Sequence, residues 1–279
     1  MDILKNYHSL KPYKDTPEVK VFKAKENSSQ NEVVLKLVKK DALITFSKYS
    51  SLLQHKNIVK CYKTIESVQF KNDKYHLSIL EYLNGKSLEQ FKFKDCQEMV
   101  ECILQATKGV AYLHRNNIIH GDLKPGNIIV VKEQEKSTPK ILDYSTFFTQ
   151  GTKKAVTPEY LAPEYSNGFS KQTDIWALGC IIYQLFTGKL PFGSRNEGQD
   201  INTILKNSTL KPLAINFNKL PEPYRKIVIK ALDKNPEKRY KNLDEVLKEL
   251  NKKPVFLSKL ITYFYYLRKS LKNELIVLK

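Results

Sequence analysis

The sequence has little of several residue types that mark particular classes of protein. Only five of its 47 basic residues are arginine, the residue that favours bidentate contacts with phosphates and bases. The lysines are scattered and no recognised nucleic-acid motif occurs, so despite a net charge of +18 we expect no direct binding to nucleic acid.

The four cysteines show no paired metal-site spacing, and the amino terminus lacks the apolar core of a signal peptide, which together predict reduced thiols and a cytoplasmic location.

Long apolar runs are also absent. In the carboxyl-terminal tail, residues 253–279, apolar residues recur at helical spacing, but Lys259 and Arg268 bracket only eight uncharged residues. A transmembrane helix needs about 20. We therefore predict a basic amphipathic helix that packs on the large lobe of the chain, residues 85–252, or on a second copy of the chain. A peripheral contact between residues 255–279 and an anionic membrane is the alternative.

The hydrophobic pattern divides the rest of the chain into two parts. Alternating apolar residues predict four strands, at 19–24, 32–38, 59–66 and 75–80. A helix-like segment at about 41–54 interrupts them. From Asp95, where Glu98 completes a capping-box-like pair, the pattern becomes helical, with further stripes at 174–186, 224–232 and 243–250. We predict an α+β fold of two lobes, a small antiparallel β lobe over residues 1–84 and a larger, mostly α-helical lobe over residues 85–252.

A cluster of polar residues lies in the middle of the chain. The segment His-Gly-Asp-Leu-Lys-Pro-Gly-Asn ends at Asn127, and two short apolar runs around a polar turn then predict a β-hairpin. This hairpin would return Asp143 to the same end as Asn127. An amide oxygen and a carboxylate are hard ligands that suit Mg²⁺. Asp122 is then available for a different task.

These residues resemble the catalytic loop and metal-binding segment of the eukaryotic-type protein kinases, Ser/Thr subgroup. Further family motifs follow in the expected order over nearly the whole chain, at Val33-Val34-Leu35-Lys36, at 77–83, at 157–164, at 174–179 and at 235–239. The resemblance implies a bilobal protein-kinase-like fold, ATP and Mg²⁺ as cofactors, and protein substrates with Ser or Thr hydroxyls. It also implies an ion pair between Glu164 and Arg239. We interpret His120 and Asp174 as structural residues that support the loop.

The resemblance assigns roles to the site residues. Asp122 would be the catalytic base, assisted by Lys124, and Asn127 and Asp143 would hold Mg²⁺. The nucleotide would also be bound by Lys36 at the phosphates, by the backbone carbonyl of Glu81, and by the amide and carbonyl of Leu83 at the adenine.

The phosphate-binding loop of the family is not preserved. Lys14, Thr16 and Val19 stand where its three glycines usually lie. Glycine lets backbone amides approach phosphates closely, and Pro12 and Pro17 remove two N–H donors, so we expect weak ATP binding. The side chains of Lys14 and Thr16 are the two candidates to replace the lost contacts.

Two further departures concern the small-lobe helix and regulation. The glutamate that should pair with Lys36 falls near Phe46, and residues 33–65 contain no Glu, so Lys36 is oriented by Asp143, by the nucleotide, or not at all. Gly121 replaces the arginine that would bind an activation-segment phosphate, and Ser145 replaces a glycine that follows Asp143 and Tyr144 in the family pattern. This chain resembles a kinase held in a fixed state rather than one switched by phosphorylation.

Three functions follow from these observations. Retention of the catalytic and nucleotide-binding side chains favours a Ser/Thr protein kinase. The missing glycines and the missing helix glutamate support the alternative, a pseudokinase scaffold or allosteric binding module with weak or no catalysis. Phosphotransfer to a molecule other than protein is disfavoured, because the Ala-Pro-Glu segment that shapes a peptide-docking surface is intact.

Overall fold

The computed structural model describes residues 3–40, 44–46, 50–144, 146–148, 157–213 and 220–251. The predicted tail helix, 253–279, lies outside these residues, and its membrane contact and the predicted domain boundaries stay predictions. Within the described part of the chain, no helix combines the length and the apolar character needed to span a bilayer.

The described residues contain ten strands and five α-helices. The strands are β1 (Tyr7–Asp15), β2 (Val19–Glu26), β3 (Glu32–Lys39), β4 (Ile44–Phe46), β5 (Cys61–Phe70), β6 (Asp73–Glu81), β7 (Gly85–Ser87), β8 (Ile128–Glu133), β9 (Lys136–Ile141) and β10 (Thr146–Phe148). The helices are α1 (Cys96–Arg115), α2 (Lys171–Thr187), α3 (Ile201–Leu210), α4 (Tyr224–Ala231) and α5 (Leu243–Leu250).

The small lobe is a five-stranded antiparallel sheet in the order β1-β2-β3-β6-β5. One face carries the core of this lobe, with Phe22, Leu35, Leu37 and Leu77 buried against one another. All four predicted strands are present, each lengthened or shifted by a few residues. The strand β1 was not predicted, because its sequence is mostly polar and contains Pro12, which an edge strand tolerates.

The large lobe is built on helices that begin where their caps lie. Asp95 accepts a hydrogen bond from the Glu98 amide (2.8 Å), and Glu98 accepts one from the Lys94 amide (2.6 Å), so α1 begins at Cys96. The helix α2 is buried over most of its length and ends at Gly188, which adopts the left-handed conformation. The predicted α1, α2, α4 and α5 are confirmed, whereas the short α3 was not predicted.

The predicted helix over 41–54 is wrong in the residues that the structure describes. Ile44–Phe46 is the strand β4, and it pairs antiparallel with β10. Ser50–Leu52 is a single 3-10 turn. Ile44 and Thr45 are β-branched and Phe46 is aromatic, and such residues favour extended backbone when a partner strand is available.

Candidate active site

The hairpin β8–β9 brings Asn127 and Asp143 to the same end, as predicted. Ile128 and Ile141 are directly paired, and the Leu142 amide donates to the carbonyl oxygen of Asn127 at 2.8 Å. Asp143 follows at once, with a φ of 58°. Asp adopts this left-handed conformation more readily than most residues, and the bend turns the chain out of the strand at this point.

Asp122 lies at the centre of a polar network on the loop before this hairpin. Its Oδ2 is 2.9 Å from the Lys124 ammonium and 3.2 Å from the Asn127 amide nitrogen, which also donates to the Asp122 carbonyl at 2.8 Å. Lys124 in turn donates to the Thr157 hydroxyl at 2.8 Å. The structure thus brings Asp122, Lys124 and Asn127 together. Thr157 joins them from the last part, 157–164, of the segment 143–164, which resembles the activation segment of the family.

The loop is held from beneath by buried polar side chains. Asp174, 1 % exposed, accepts hydrogen bonds from the backbone amides of His120 (2.8 Å) and Gly121 (2.9 Å) and lies 2.8 Å from the His114 ring. The His120 ring lies 2.8 Å from the carbonyl oxygen of Leu142. His120 and Asp174 therefore have the structural positions predicted for them.

Gly121 is required by the shape of this loop. Its φ is +70°, and a Cβ at this position would lie 3.3 Å from Cγ of Phe169. The ring of Phe169 thus packs where a side chain at position 121 would begin. Together with Thr157, Leu161 and Tyr165 it lines a pocket beside Asp122.

Lys36 is oriented by Asp143, the first of the three alternatives that the sequence left open. The buried Lys36 ammonium lies 2.9 Å from Oδ1 of Asp143, whose side chain remains 47 % exposed. Partial burial raises the pKa of Asp143, but the charge and the hydrogen bond of Lys36 outweigh this effect. Together with the more distant charges of His120 and Lys14, they lower the pKa of Asp143 to about 2. Asp143 is an anion at neutral pH.

The predicted adenine-binding residues lie where β6 ends. Leu83 packs against the large hydrophobic core of the chain, in which Leu80, near the end of β6, is buried. The Leu83 carbonyl accepts a hydrogen bond from the Gly85 amide at 3.0 Å. The Glu81 carboxylate accepts hydrogen bonds from the Lys140 ammonium (2.5 Å) and the Lys60 amide (2.6 Å), contacts that the sequence did not predict.

The turn between β1 and β2 uses its own donors. The Thr16 amide donates to the Val19 carbonyl (3.0 Å), and the Val19 amide donates to the Thr16 hydroxyl oxygen (3.1 Å), which itself lies 3.0 Å from that carbonyl. Pro17 has no N–H. In the turn that replaces the glycine-rich loop, the Thr16 and Val19 amides are therefore bonded within the turn.

Two ion pairs hold the segment after Thr157. Arg239, 2 % exposed, donates to both carboxylate oxygens of Glu164, at 2.7 and 2.8 Å, which confirms the predicted pair. Glu159 accepts from the side chain of Arg195 at 2.9 and 3.2 Å. The second pair was not predicted, because nothing in the local sequence links residues so far apart.

The comparisons with known proteins agree with this architecture. Residues 18–256 match the family model of the protein kinase domain, so this chain belongs to the protein kinase family. Both the resemblance and the predicted bilobal α+β fold are confirmed.

The chain is similar to several serine/threonine kinases. It is 28 % identical over 212 residues to serine/threonine-protein kinase PknB of Mycobacterium leprae, covering 72 % of this chain and 34 % of that protein. It is also 28 % identical over 212 residues to serine/threonine-protein kinase PrkC of Bacillus subtilis, covering 71 % of this chain and 31 % of the relative. Calcium-dependent protein kinase 4 of Plasmodium falciparum is 33 % identical over 169 residues, covering 57 % of this chain and 31 % of that protein. The chain spans about a third of the length of these curated relatives.

Proposed function

We propose that this chain is a Ser/Thr protein kinase that transfers the γ-phosphate of ATP to hydroxyl groups of protein substrates. The proposal depends on one observation above all, which is that two pairs of residues meet at one end of the hairpin. Lys36 is bound to Asp143, and Asp122 is bound to Lys124. Asn127 connects the two pairs, because it binds Asp122 and leads directly into the hairpin that ends at Asp143. The similarity to two serine/threonine-protein kinases supports the Ser/Thr class.

The side chains present fit Mg-ATP. Asn127 uses its amide nitrogen on Asp122, so its amide oxygen is directed elsewhere. With the Asp143 carboxylate it supplies the oxygen donors that Mg²⁺ prefers, and Mg²⁺ is usually held by one or two protein groups and substrate phosphates. When held by Asn127 and Asp143, the ion would neutralise the negative charge that builds on the phosphates.

The remaining residues have separate tasks in this proposal. Asp122 orients the substrate hydroxyl and accepts its proton, while Lys124, between Asp122 and Thr157, stabilises negative charge on the transferred phosphoryl group. The Lys36 ammonium binds phosphate oxygens of the nucleotide. The backbone of Glu81 and Leu83 binds adenine. We further propose a cytoplasmic location, which the four free, buried thiols support.

A pseudokinase is the second candidate, and two structural observations favour it. The amides of Thr16 and Val19 in the β1–β2 turn are bonded within the turn, and β4 occupies part of the segment where the family has a helix. A scaffold of this kind would bind a partner protein without turning over ATP.

Phosphate transfer from radiolabelled ATP to generic protein substrates separates the two functions. We expect wild type to label Ser and Thr, and Asp143→Ala to abolish labelling. Asp73→Ala is the matched control, because Asp73 is a carboxylate in an ion pair with Lys39 on the small-lobe sheet, away from the site. If wild type and Asp143→Ala consume ATP equally slowly, the pseudokinase is the correct function.

A further inference from the structure

The strand register places two lysines on the face of the sheet that carries the nucleotide site. Lys14 on β1 pairs directly with Val21 on β2, and Val21 pairs directly with Lys36 on β3. Directly paired residues in an antiparallel sheet project from the same face. Lys14 and Lys36 therefore project from one face, with Cα atoms about 10 Å apart, two inter-strand spacings of about 4.8 Å.

This face is the one turned away from the core of the small lobe. Leu35 and Leu37, the neighbours of Lys36 along β3, are buried in that core on the opposite face. Lys36 points instead to Asp143 at 2.9 Å. Lys14 therefore projects toward the side of the sheet where Asp143 lies, and its side chain is exposed.

A β-bulge is responsible for this direction. Pro12 pairs with Phe22 but Lys14 pairs with Val21, so Tyr13 is the extra residue between them. Without the bulge, Lys14 would pair with Lys20 and project from the face that carries Phe22. A shift of one residue reverses the face of every side chain in a strand.

Several other polar groups of the turn are bonded to one another. The amides of Thr16 and Val19 and the Thr16 hydroxyl bond to one another, and Pro17 has no N–H. Lys20 is paired with Asp15. The side chain of Lys14 has no hydrogen bond or ion pair to any other residue in the part of the chain that the structure describes.

We infer that the Lys14 ammonium binds the phosphate chain of the nucleoside triphosphate and replaces the backbone amides of the family's glycine-rich loop. The inference rests on the proposed function, because it requires a nucleotide between Lys36 and Asp143. A lysine acts as a point charge on phosphate and needs no close approach of the backbone, so the turn does not need glycine.

Thermal-shift titrations with Mg-ATP and with adenosine test this inference. We expect Lys14→Gln to weaken Mg-ATP binding about tenfold, the loss of one charge-assisted contact, and to leave adenosine binding unchanged because adenosine has no phosphate. Lys11→Gln is the matched control. Lys11 is on the same strand and projects from the same face, where it pairs with Lys23. Lys23 pairs in turn with Val34, so this row of cross-strand neighbours does not include Lys36. It should change Mg-ATP affinity less than about twofold.

The outcomes distinguish this inference from the proposed function. If wild type binds Mg-ATP and Lys14→Gln binds it equally well, Lys14 is not a phosphate ligand and the kinase function stands. Equal weakening of adenosine and Mg-ATP would also overturn the inference, since a distorted sheet and not a lost phosphate contact would explain it. Failure of wild type to bind Mg-ATP at all would overturn both proposals. Unfolding temperatures without ligand show that each variant folds.

Discussion

Asp122 and Asp143 are carboxylates of one site, and their neighbours give them different tasks. Asp143 faces a buried lysine on the small-lobe sheet, which holds the pKa of Asp143 low and keeps its carboxylate charged. Asp122 contacts Lys124 and Asn127 on its own loop and borders the pocket that Thr157 and Phe169 line. In the proposed function, one carboxylate therefore serves the nucleotide and the other the substrate hydroxyl.

Replacing Asp122 by Asn should separate chemistry from binding. We expect phosphotransfer to fall at least about 100-fold, because the group that accepts the hydroxyl proton is lost. Mg-ATP binding should stay within about twofold of wild type, since Asp122 does not contact the nucleotide phosphates in this assignment. Single-turnover kinetics with a titration of Mg-ATP would show both effects. Full turnover by Asp122→Asn would remove the catalytic-base assignment.

Replacing Asp143 by Asn should instead weaken nucleotide binding itself. The variant loses the charge that holds Mg²⁺ and the ion-pair partner of Lys36. The rise in unfolding temperature that saturating Mg-ATP produces in wild type should be largely lost in the variant. Identical Mg-ATP titration curves for the two proteins would contradict the metal-binding role. A titration with adenosine serves as the control, because its binding does not use the metal.

At the scale of single residues, the sequence predicted the composition of the site well. Asp122, Lys124 and Asn127 lie within one short segment, so local spacing places them together, and a two-stranded hairpin suffices to bring Asp143 beside them. The direction of Lys14 was not predictable, because it depends on a bulge at Tyr13 that the alternation of polar residues does not reveal. Nor was the Lys140–Glu81 pair, which joins two distant strands.

At the scale of elements, prediction succeeded where a hydrophobic stripe was long or a cap was present. The helices α1 and α2 have both, with Asp95 and Ser170 as caps. The strand β1 has no alternation and only one buried residue, Tyr7 at its start, and it is held at the sheet edge mainly by backbone pairing with β2. The segment around β4 was mispredicted because a helical pattern of apolar residues was outweighed by β-branched residues that pair with β10.

The packing of α2 against α4 depends on a glycine. A Cβ at Gly179 would lie 2.9 Å from Cβ of Ala231 and 3.0 Å from Cδ2 of Leu232. We expect Gly179→Ala to destabilise the fold by about 1–3 kcal/mol through overpacking, partly offset by the better helix propensity of alanine. Thermal unfolding measures the effect. Gly126→Ala is the control, because its Cβ would make only one ordinary contact, at 3.9 Å to Glu89. An unchanged unfolding temperature for Gly179→Ala would show that α2 and α4 can move apart enough to accommodate the added methyl group without a loss of stability.

The activation segment should not act as a phosphorylation switch. Gly121 offers no cation, and the ring of Phe169 packs 3.3 Å from where its Cβ would be. Thr146, Thr149 and Thr152 have side chains outside the described residues. We expect their simultaneous replacement by Ala to change kinase activity less than about threefold, because no arginine at position 121 receives a phosphate. A tenfold or larger loss, with an unchanged unfolding temperature, would show that another basic group receives it.

At the scale of the whole molecule, the chain carries a large excess of positive charge, whereas the two carboxylates of the site are each paired with a lysine. The net charge of +18 attracts anions such as ATP over long range, but exposed charges are screened at physiological salt. Affinity for the nucleotide therefore depends on the few groups within the site. The four cysteine thiols contribute nothing to nucleotide binding, because all four are buried. Burial raises the pKa of Cys61 to about 11 and that of Cys102 to about 12, so these thiols are uncharged at neutral pH.

Nucleotide affinity should be low and should depend on Mg²⁺. The β1–β2 turn supplies no amide from Thr16 or Val19, and each missing charge-assisted hydrogen bond costs about 1.5–3 kcal/mol in favourable cases. Even with Lys14 as a partial replacement, the net loss of one contact weakens binding roughly tenfold to a hundredfold. We therefore expect an ATP dissociation constant on the order of hundreds of micromolar or above, rising further when the metal is chelated, because Asn127 and Asp143 hold the phosphates through it. Calorimetry with and without a chelator measures both. Low-micromolar binding that chelation leaves unchanged would mean that side chains alone, Lys14 first among them, form a complete phosphate site.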